Sequence, residues 1–100
     1  MGKMYNIKKI DFKTKRNPSD IIEIAKSYIE HQDEIYEIDE NSIVFDQESH
    51  VTKKPVWYID VISLKTKEIW PDAYDTLAVS DDEGRLVYVM NDHGVVVELY

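Results

Sequence analysis

Residues 55–64, Pro-Val-Trp-Tyr-Ile-Asp-Val-Ile-Ser-Leu, form the clearest strand pattern in the chain. Because successive side chains of a strand point to opposite faces, Trp57, Ile59 and Val61 are predicted to share one face. Pro55 cannot donate a hydrogen bond to a sheet and is tolerated as the first residue of a strand. The stretch therefore predicts a strand that begins at Pro55 and presents one continuous apolar face to a core.

The segment before this strand carries the pattern of an amphipathic helix. Asn17 and Pro18 are typical of a helix start, because Asn caps free backbone N–H groups and Pro has no N–H to leave unpaired. Apolar residues then recur at helical spacings from Ile21 to Ile29, which predicts a helix with one buried stripe. The helix is expected to end near residues 31–33.

Shorter apolar alternations on both sides predict further strands. Gly84 and Gly94 close two polar turns, and short turns make neighbouring strands antiparallel. At most six strands are predicted, at residues 5–12, 36–45, 55–64, 74–80, 85–90 and 95–100. The strand at 36–45 consists of the apolar segments 36–38 and 43–45 with a turn or bulge at 39–41, and the connections lie at 46–54 and 65–73. We therefore predict a single α+β domain over residues 1–100, with one helix packed on a curled antiparallel meander of four to six strands.

The charge of the chain is unevenly distributed. Its 100 residues hold 20 acidic and 12 basic side chains, which gives a net charge of −8. Residues 1–16 hold six basic side chains and one acidic side chain, a charge of +5, so the remainder carries −13. Such an acidic body repels the phosphates of nucleic acid and suits a basic protein partner. Improved solubility is the alternative explanation of the acidity.

The sequence lacks the usual signals of several classes of protein. The absence of cysteine excludes disulfides and thiolate chemistry. No apolar run approaches the roughly 20 residues that cross a bilayer, and the first residues do not resemble a secretory signal. We expect a cytoplasmic protein that is not an enzyme, uses no cofactor and binds neither nucleic acid nor membrane. It is expected to be a monomer or a homodimer joined through its sheet.

The histidines give no recognisable site. His31, His50 and His93 lack the spacing of metal ligands, so no metal site is expected. Asp92 next to His93 resembles a base with an orienting carboxylate. Such a pair also needs a nucleophile, and turn geometry alone explains these two residues.

A binding surface is predicted around Trp70 in the 65–73 connection. A Trp beside Pro71 in a polar connection is either a lid over one end of the core or an exposed anchor for a partner. Trp and Tyr are favoured at binding hot spots because they bury a large area at little entropic cost. Acidic neighbours of an exposed Trp would form a charged rim. The predicted partner-binding residues are Trp70, Tyr74, Asp72, Asp75, Asp81, Asp82 and Glu83.

The alternative function is that of a small-ligand-binding protein or an enzyme that uses the concave face of the curled sheet. Asp60 lies in the middle of the strand at 55–64. If its face is buried, the carboxylate needs partners and its pKa should rise. If that face is open to water, the side chain is simply exposed. The residues predicted to line this site are Tyr58, Asp60, His50 and His93.

Two strand motifs resemble a known family. Residues 57–61, Trp-Tyr-Ile-Asp-Val, and residues 77–88, Leu-Ala-Val-Ser-Asp-Asp-Glu-Gly-Arg-Leu-Val-Tyr, follow a helix. This order resembles the small cystatin-like domains of the PepSY type over residues 18–94, and it is similar to several small bacterial immunity proteins that neutralise polymorphic toxins. The resemblance implies a helix packed on a sheet and no catalytic residues. Together with the acidic body, it makes a cytoplasmic immunity protein that covers the active site of a basic toxin domain the most concrete expectation.

Overall fold

The computed structural model of the protein describes residues 4–6 and 14–100. Within these ranges the elements are β1 (Met4–Asn6), α1 (Pro18–Glu30), β2 (Tyr36–Asp46), β3 (Val56–Ser63), α2 (Leu64–Ile69), β4 (Asp75–Ser80), β5 (Leu86–Asn91) and β6 (Val96–Leu99). Each strand pairs antiparallel with the next strand along the chain, so the sheet is an open meander from β1 to β6. Helix α1 packs on one face of this sheet. The predicted α+β fold is confirmed.

The start of α1 is fixed by reciprocal hydrogen bonds between Asn17 and Asp20. The Asn17 side-chain oxygen accepts from the Asp20 N–H, and the Asp20 carboxylate accepts from the Asn17 N–H, both at 3.0 Å. This is a capping box, which satisfies donors that the first turn leaves free. Pro18 occupies the first turn, as predicted. Ile21 and Ala25 then lie fully buried on the stripe that faces the sheet.

The face of the sheet beneath α1 holds the main core. Trp57, Ile59 and Val61 of β3 lie together on this face and are buried, as the alternation in residues 55–64 predicts. The Trp57 ring packs against Phe45 of β2, with 5.2 Å between the ring centroids. The other buried members of this core are Ile21, Ala25, Ile43, Leu77, Val79 and Val89. Because burial of this apolar area drives folding, α1 occupies this face and leaves the opposite face to other parts of the chain.

The opposite face carries a smaller cluster that the loop at residues 47–55 partly covers. Tyr58 and Tyr88 lie there with their rings edge to face. The Tyr88 hydroxyl is hydrogen-bonded to the Tyr58 hydroxyl at 2.8 Å and to the Ser49 hydroxyl at 2.6 Å. Ser49 Oγ also accepts from the Val51 N–H at 3.1 Å. This network ties the loop to the sheet.

The connection predicted at 65–73 contains a helix that the sequence interpretation missed. Residues Leu64–Ile69 form the short helix α2. The Ser63 side chain caps it by accepting a hydrogen bond from the Thr66 N–H at 3.3 Å. Only residues 70–74 remain irregular between α2 and β4.

The strand β2 is continuous through the predicted turn or bulge at residues 39–41. Its pairing with β3 changes register between Asp39 and Val44, so the irregularity is a bulge. Of the first strand predicted at residues 5–12, positions 5 and 6 pair with β2, and positions 7–12 lie outside the described residues. Neither helix in the described ranges is long and apolar enough to cross a membrane.

Candidate functional site

The predicted Trp70 surface lies at one end of the sheet, where three connecting segments of the chain meet. Asp75, the first residue of β4, lies opposite Asn91 and Val61 in the sheet. The N–H of Leu64 donates to the carbonyl of Ile35 at 3.0 Å, which joins the start of α2 to the segment before β2. We call this region, residues 31–35, 64–74 and 91–95, the Trp70 end.

Trp70 is exposed and does not form a lid over the core. Its side chain is 66% exposed, and the preceding Ile69 is 67% exposed. The backbone around it is ordered by hydrogen bonds, because the Trp70 N–H donates to Thr66 at 2.7 Å and the Trp70 carbonyl accepts from the Ala73 N–H at 3.0 Å. The backbone that carries this large exposed ring is therefore held at a defined place. Tyr74, four residues on, is partly exposed as well.

A shallow hollow of about 550 Å³ lies beside Trp70. It is lined by Trp70, Pro71, Asp72, Ala73, Asp92 and His93. We call it the Trp70 hollow. It unites one residue of the predicted ligand site, His93, with two residues of the predicted partner site. His93 Nε2 is 3.7 Å from Asp92 Oδ1 and lies on the surface, so the pair has no enclosed site around it.

Acidic side chains lie at this end of the sheet. Asp72 and Asp92 are exposed, and Asp75 is half-buried. Burial raises the pKa of Asp75, and the nearby negative charges of Asp92, Glu98 and Glu34 raise it further. A carboxylate in such surroundings gains from the approach of a positive charge. The structure thus places one of the predicted acids, Asp72, in the hollow beside Trp70, whereas Asp75 begins β4 opposite Val61 and Asn91.

The other predicted acids, Asp81, Asp82 and Glu83, lie at the opposite end of β4. The strand Asp75–Ser80 separates them from Asp75 by roughly 20 Å at 3.3 Å per residue. Asp82 pairs with Lys15 at 3.0 Å, and Glu83 pairs with Arg85 at 3.1 Å. Their assignment to the rim around Trp70 is wrong, because closeness in sequence does not bring the two ends of a strand together.

Asp81 is also buried, with 3% of its surface exposed. Its Oδ1 accepts from Trp57 Nε1 at 2.8 Å and from the Arg16 N–H at 3.0 Å. The Lys15 N–H reaches Oδ2 at 3.0 Å. Asp81 therefore anchors the segment that leads into α1 and cannot belong to a surface rim.

The predicted ligand residues gather in a second depression, on the sheet face opposite α1. This sheet cleft has a volume of about 590 Å³. Its lining residues are Ser42, Val44, Asp46, His50, Tyr58, Asp60, Tyr74, Thr76, Met90, Asn91, Asp92 and Gly94. Tyr58, Asp60 and His50 thus line one cleft, and His93 is not among its lining residues.

Asp60 is half-buried in the sheet cleft. Its exposure thus lies between the buried face and the face open to water that the sequence analysis considered. Thr76 Oγ1 donates to Asp60 Oδ1 at 2.7 Å across the β3–β4 pair. Burial raises the pKa of Asp60 above its ordinary value of 3.8, and the negative charge of Asp39 adds to this increase. The Thr76 hydrogen bond acts in the opposite direction. Asp39 lies directly opposite Asp60 in the sheet, which explains the repulsion.

The phenol of Tyr58 is a hydrogen-bonding group and not a nucleophile. Burial raises its pKa, and the hydrogen bond with Tyr88 raises it further. The hydroxyl also donates to Asp46 Oδ2 at 3.3 Å. A phenol with a raised pKa stays protonated at neutral pH. Within the described part of the chain, no three histidines and carboxylates converge in a manner that could hold a metal ion.

Two carboxylates of the sheet cleft were missed from the sequence. Asp46 ends β2 and shares a face with Val44 and Tyr58, so the alternation along β2 is the signal that could have found it. Asp92 lines both the sheet cleft and the Trp70 hollow. The sequence predicts the turn between β5 and β6 that carries Asp92, but no local pattern reveals that this turn lies beside the cleft.

The chain was compared with known protein families, curated proteins and solved structures. No protein family, no curated protein and no solved structure matches the chain.

Proposed function

We propose that the protein is a protein-binding module whose contact surface is the Trp70 end. The observation that carries the proposal is the 66% exposure of Trp70 beside acidic side chains. Trp contributes more to binding than almost any other residue when a partner covers it. A globular chain that keeps a Trp in water while burying Trp57 completely has a surface suited to an interface.

The charge around Trp70 supports a basic partner. Asp72 and Asp92 share the Trp70 hollow with the indole, and the negative charge of Asp92 helps to raise the pKa of Asp75. A positive partner would be attracted over distances of about a Debye length, roughly 8–10 Å at physiological salt. Acids around a central aromatic anchor fit the usual division between an apolar centre and a polar rim.

The most concrete form of this proposal is an immunity protein that neutralises a basic toxin domain by covering its active site. Such inhibition needs no chemistry of its own. Acidic side chains steer the encounter, and an aromatic anchor slows dissociation. The proposal draws on the acidic body, on the exposed anchor and on the likeness of residues 18–94 to small immunity proteins.

The test begins with a search for a toxin gene next to the gene for this protein, and it uses the toxin domain that such a gene encodes. Titration calorimetry should detect a complex, and the toxin should lose activity in it. Trp70→Ala should weaken binding at least about tenfold, as expected for a hot-spot Trp. Tyr100→Ala is the matched control, because Tyr100 is also an exposed aromatic but its N–H pairs with Val87, away from the Trp70 end. Undiminished toxin activity, together with no partner recovered from the source cell, would overturn the proposal.

A second candidate function is the binding of a small free ligand in the sheet cleft. It is favoured by one observation: Tyr58, Asp60 and His50 line a cleft that α1 does not fill. A ligand present at 100 times its Kd adds about 2.7 kcal/mol to the free energy of unfolding. A panel of metabolites should therefore raise the melting temperature for at least one compound. An unchanged melting temperature across the panel argues against this function.

A further inference from the structure

The sheet cleft and the Trp70 hollow are neighbouring depressions. Asp92 lines both of them, and Tyr74 of the Trp70 end lines the sheet cleft. A chain segment that covers Trp70 can therefore reach the cleft by passing over Asp92. The two sites form one continuous surface around the 91–94 turn.

The sheet cleft is negative. Its described lining includes the carboxylates of Asp46, Asp60 and Asp92, and it includes neither Lys nor Arg. His50 is the one lining residue in this set that can become positive. An anionic ligand would meet three like charges there, so the cleft is suited to a cation.

Asp60 is the carboxylate with the most to gain from a cation. One of its oxygens is held by Thr76 at 2.7 Å, and no other described residue donates a hydrogen bond to its carboxylate. The side chain is half-buried and faces the charge of Asp39 across the β2–β3 pair. No positive side chain in the described part of the cleft offsets that repulsion.

The walls of the cleft are largely apolar. Val44, Tyr58 and Met90 line it together with Tyr74. Apolar walls around a half-buried carboxylate suit a cation carried on a methylene stem, because the stem packs while the charge pairs. A guanidinium group suits them better than an ammonium group, since it is more weakly hydrated and stacks on aromatic rings.

We infer that the sheet cleft receives an arginine side chain of the protein partner that docks on Trp70, with Asp60 as its counter-charge. The inference rests on the proposed function, since the arginine is supplied by that partner. Val44, Met90 and Tyr58 contact the methylene stem, and the guanidinium donates to the free lone pairs of Asp60. Asp92 lies on the path between this pocket and Trp70 and adds negative charge at its mouth.

The test follows the amide signals of the isotope-labelled full chain by NMR during titration with capped pentapeptides. The three peptides carry Arg, Lys or citrulline at the centre of four alanines. Citrulline has the shape of arginine without its charge. The Arg peptide should shift the signals of residues around the cleft, among them Asp60, Thr76 and Met90. The affinity of the citrulline peptide should be lower by a factor of about ten or more, since a charged hydrogen bond contributes roughly 1.5 kcal/mol or more. The Lys peptide should fall between them.

Two variants locate the counter-charge. Asp60→Asn should weaken the Arg peptide about tenfold and abolish its preference over citrulline, because the amide keeps the Thr76 hydrogen bond but not the charge. Asp82→Asn is the matched control, since Asp82 is an exposed acid at the other end of β4 that already pairs with Lys15. It should leave the peptide titration unchanged.

Three results would overturn the inference. They are an absence of cleft shifts at millimolar peptide, equal shifts with the Arg and citrulline peptides, and much tighter binding of free agmatine than of the Arg peptide. The last result would identify a small-molecule site instead.

Because the peptide test does not involve the partner, it can fail while Trp70→Ala still weakens partner binding. The proposed function would then stand without the arginine pocket.

Discussion

The indole Nε1 of Trp57 donates a 2.8 Å hydrogen bond to Oδ1 of Asp81, and this contact joins the centre of the sheet to the start of α1. The same carboxylate accepts from the backbone N–H groups of Lys15 and Arg16. One buried side chain at the β4–β5 turn therefore satisfies three donors from two distant parts of the chain. Asp81 thereby holds the segment that leads into α1 against the edge of the core.

Replacing Asp81 by Ala should destabilise the protein by about 3 kcal/mol, because it leaves buried donors without an acceptor. The measurement is the free energy of unfolding in urea. Asp82→Ala, at the neighbouring position, removes only an exposed pair with Lys15 and should cost less than about 1 kcal/mol. Equal costs for the two variants would contradict the anchoring role of Asp81.

Gly84 should tolerate a side chain less well than Gly94. Both have positive φ, +65° and +77°, so Ala is strained at either position. A Cβ at position 84 would also lie 2.5 Å from Cζ of Arg16, whereas a Cβ at position 94 meets open space. To make room, Arg16 would give up its 3.3 Å hydrogen bond to the Asp81 carbonyl.

We therefore expect Gly94→Ala to cost about 1 kcal/mol and Gly84→Ala to cost about 1 kcal/mol more. Urea unfolding of the two variants measures the difference. The extra cost at position 84 should disappear in an Arg16→Ala background, because the crowded side chain is then gone. Persistence of the extra cost in that background would show that Arg16 is not its cause.

The hydroxyl of Tyr88 should contribute to stability because it links the loop to the sheet. Tyr88→Phe removes the hydrogen bonds to Ser49 and Tyr58 and should cost roughly 1–2 kcal/mol in urea unfolding. Tyr100→Phe removes an exposed hydrogen bond to Glu98 and should cost less than about 0.5 kcal/mol. If Tyr88→Phe is equally mild, the network does not hold the loop.

The stability of the protein should depend on pH through Asp60. Folding raises the pKa of this carboxyl above 3.8, so the native state binds its proton more tightly than the unfolded chain does. The free energy of unfolding then falls as pH rises through the interval between 3.8 and the higher native value. Above this interval the native protein carries a costly charge that the unfolded chain bears without difficulty.

Asp60→Asn should accordingly raise the melting temperature at neutral pH, and the gain should shrink as pH falls below the ordinary carboxyl range. Asp82→Asn, which loses an ion pair with Lys15, should show no gain at neutral pH. Differential scanning calorimetry between pH 3 and pH 7 makes the comparison. A lower melting temperature for Asp60→Asn at neutral pH would mean that an attraction outweighs burial at this site.

The sequence predicted well those parts of the fold that depend on residues close together along the chain. Asn17 and Pro18 mark the start of α1, and alternation around Trp57 identifies β3 and its buried face. Helix α2 was missed because its six residues bury no side chain and so carry no apolar stripe. Its one local signal is the cap, Ser63.

The parts of the candidate site that sequence could not predict depend on contacts distant along the chain. Asp81 looks like Asp82 and Glu83 in a polar turn, yet its burial is created by a segment 65 residues away. The environment of Asp60 depends in the same way on Thr76 across the strand pair and on the bulge that places Asp39. The exposure of Trp70 follows from the end of α2, which had not been predicted.

Trp70 and Trp57 provide the sharpest test of which aromatic residue belongs to the fold and which to a binding surface. Trp57→Phe removes a buried indole and its hydrogen bond to Asp81, and it should cost about 3 kcal/mol in urea unfolding. Trp70→Ala removes a larger part of its own side chain, but from the surface, so its cost should be below about 0.5 kcal/mol. A loss of more than about 1.5 kcal/mol in Trp70→Ala would show that the ring packs on the core. The protein would then lack the exposed anchor on which its proposed binding function depends.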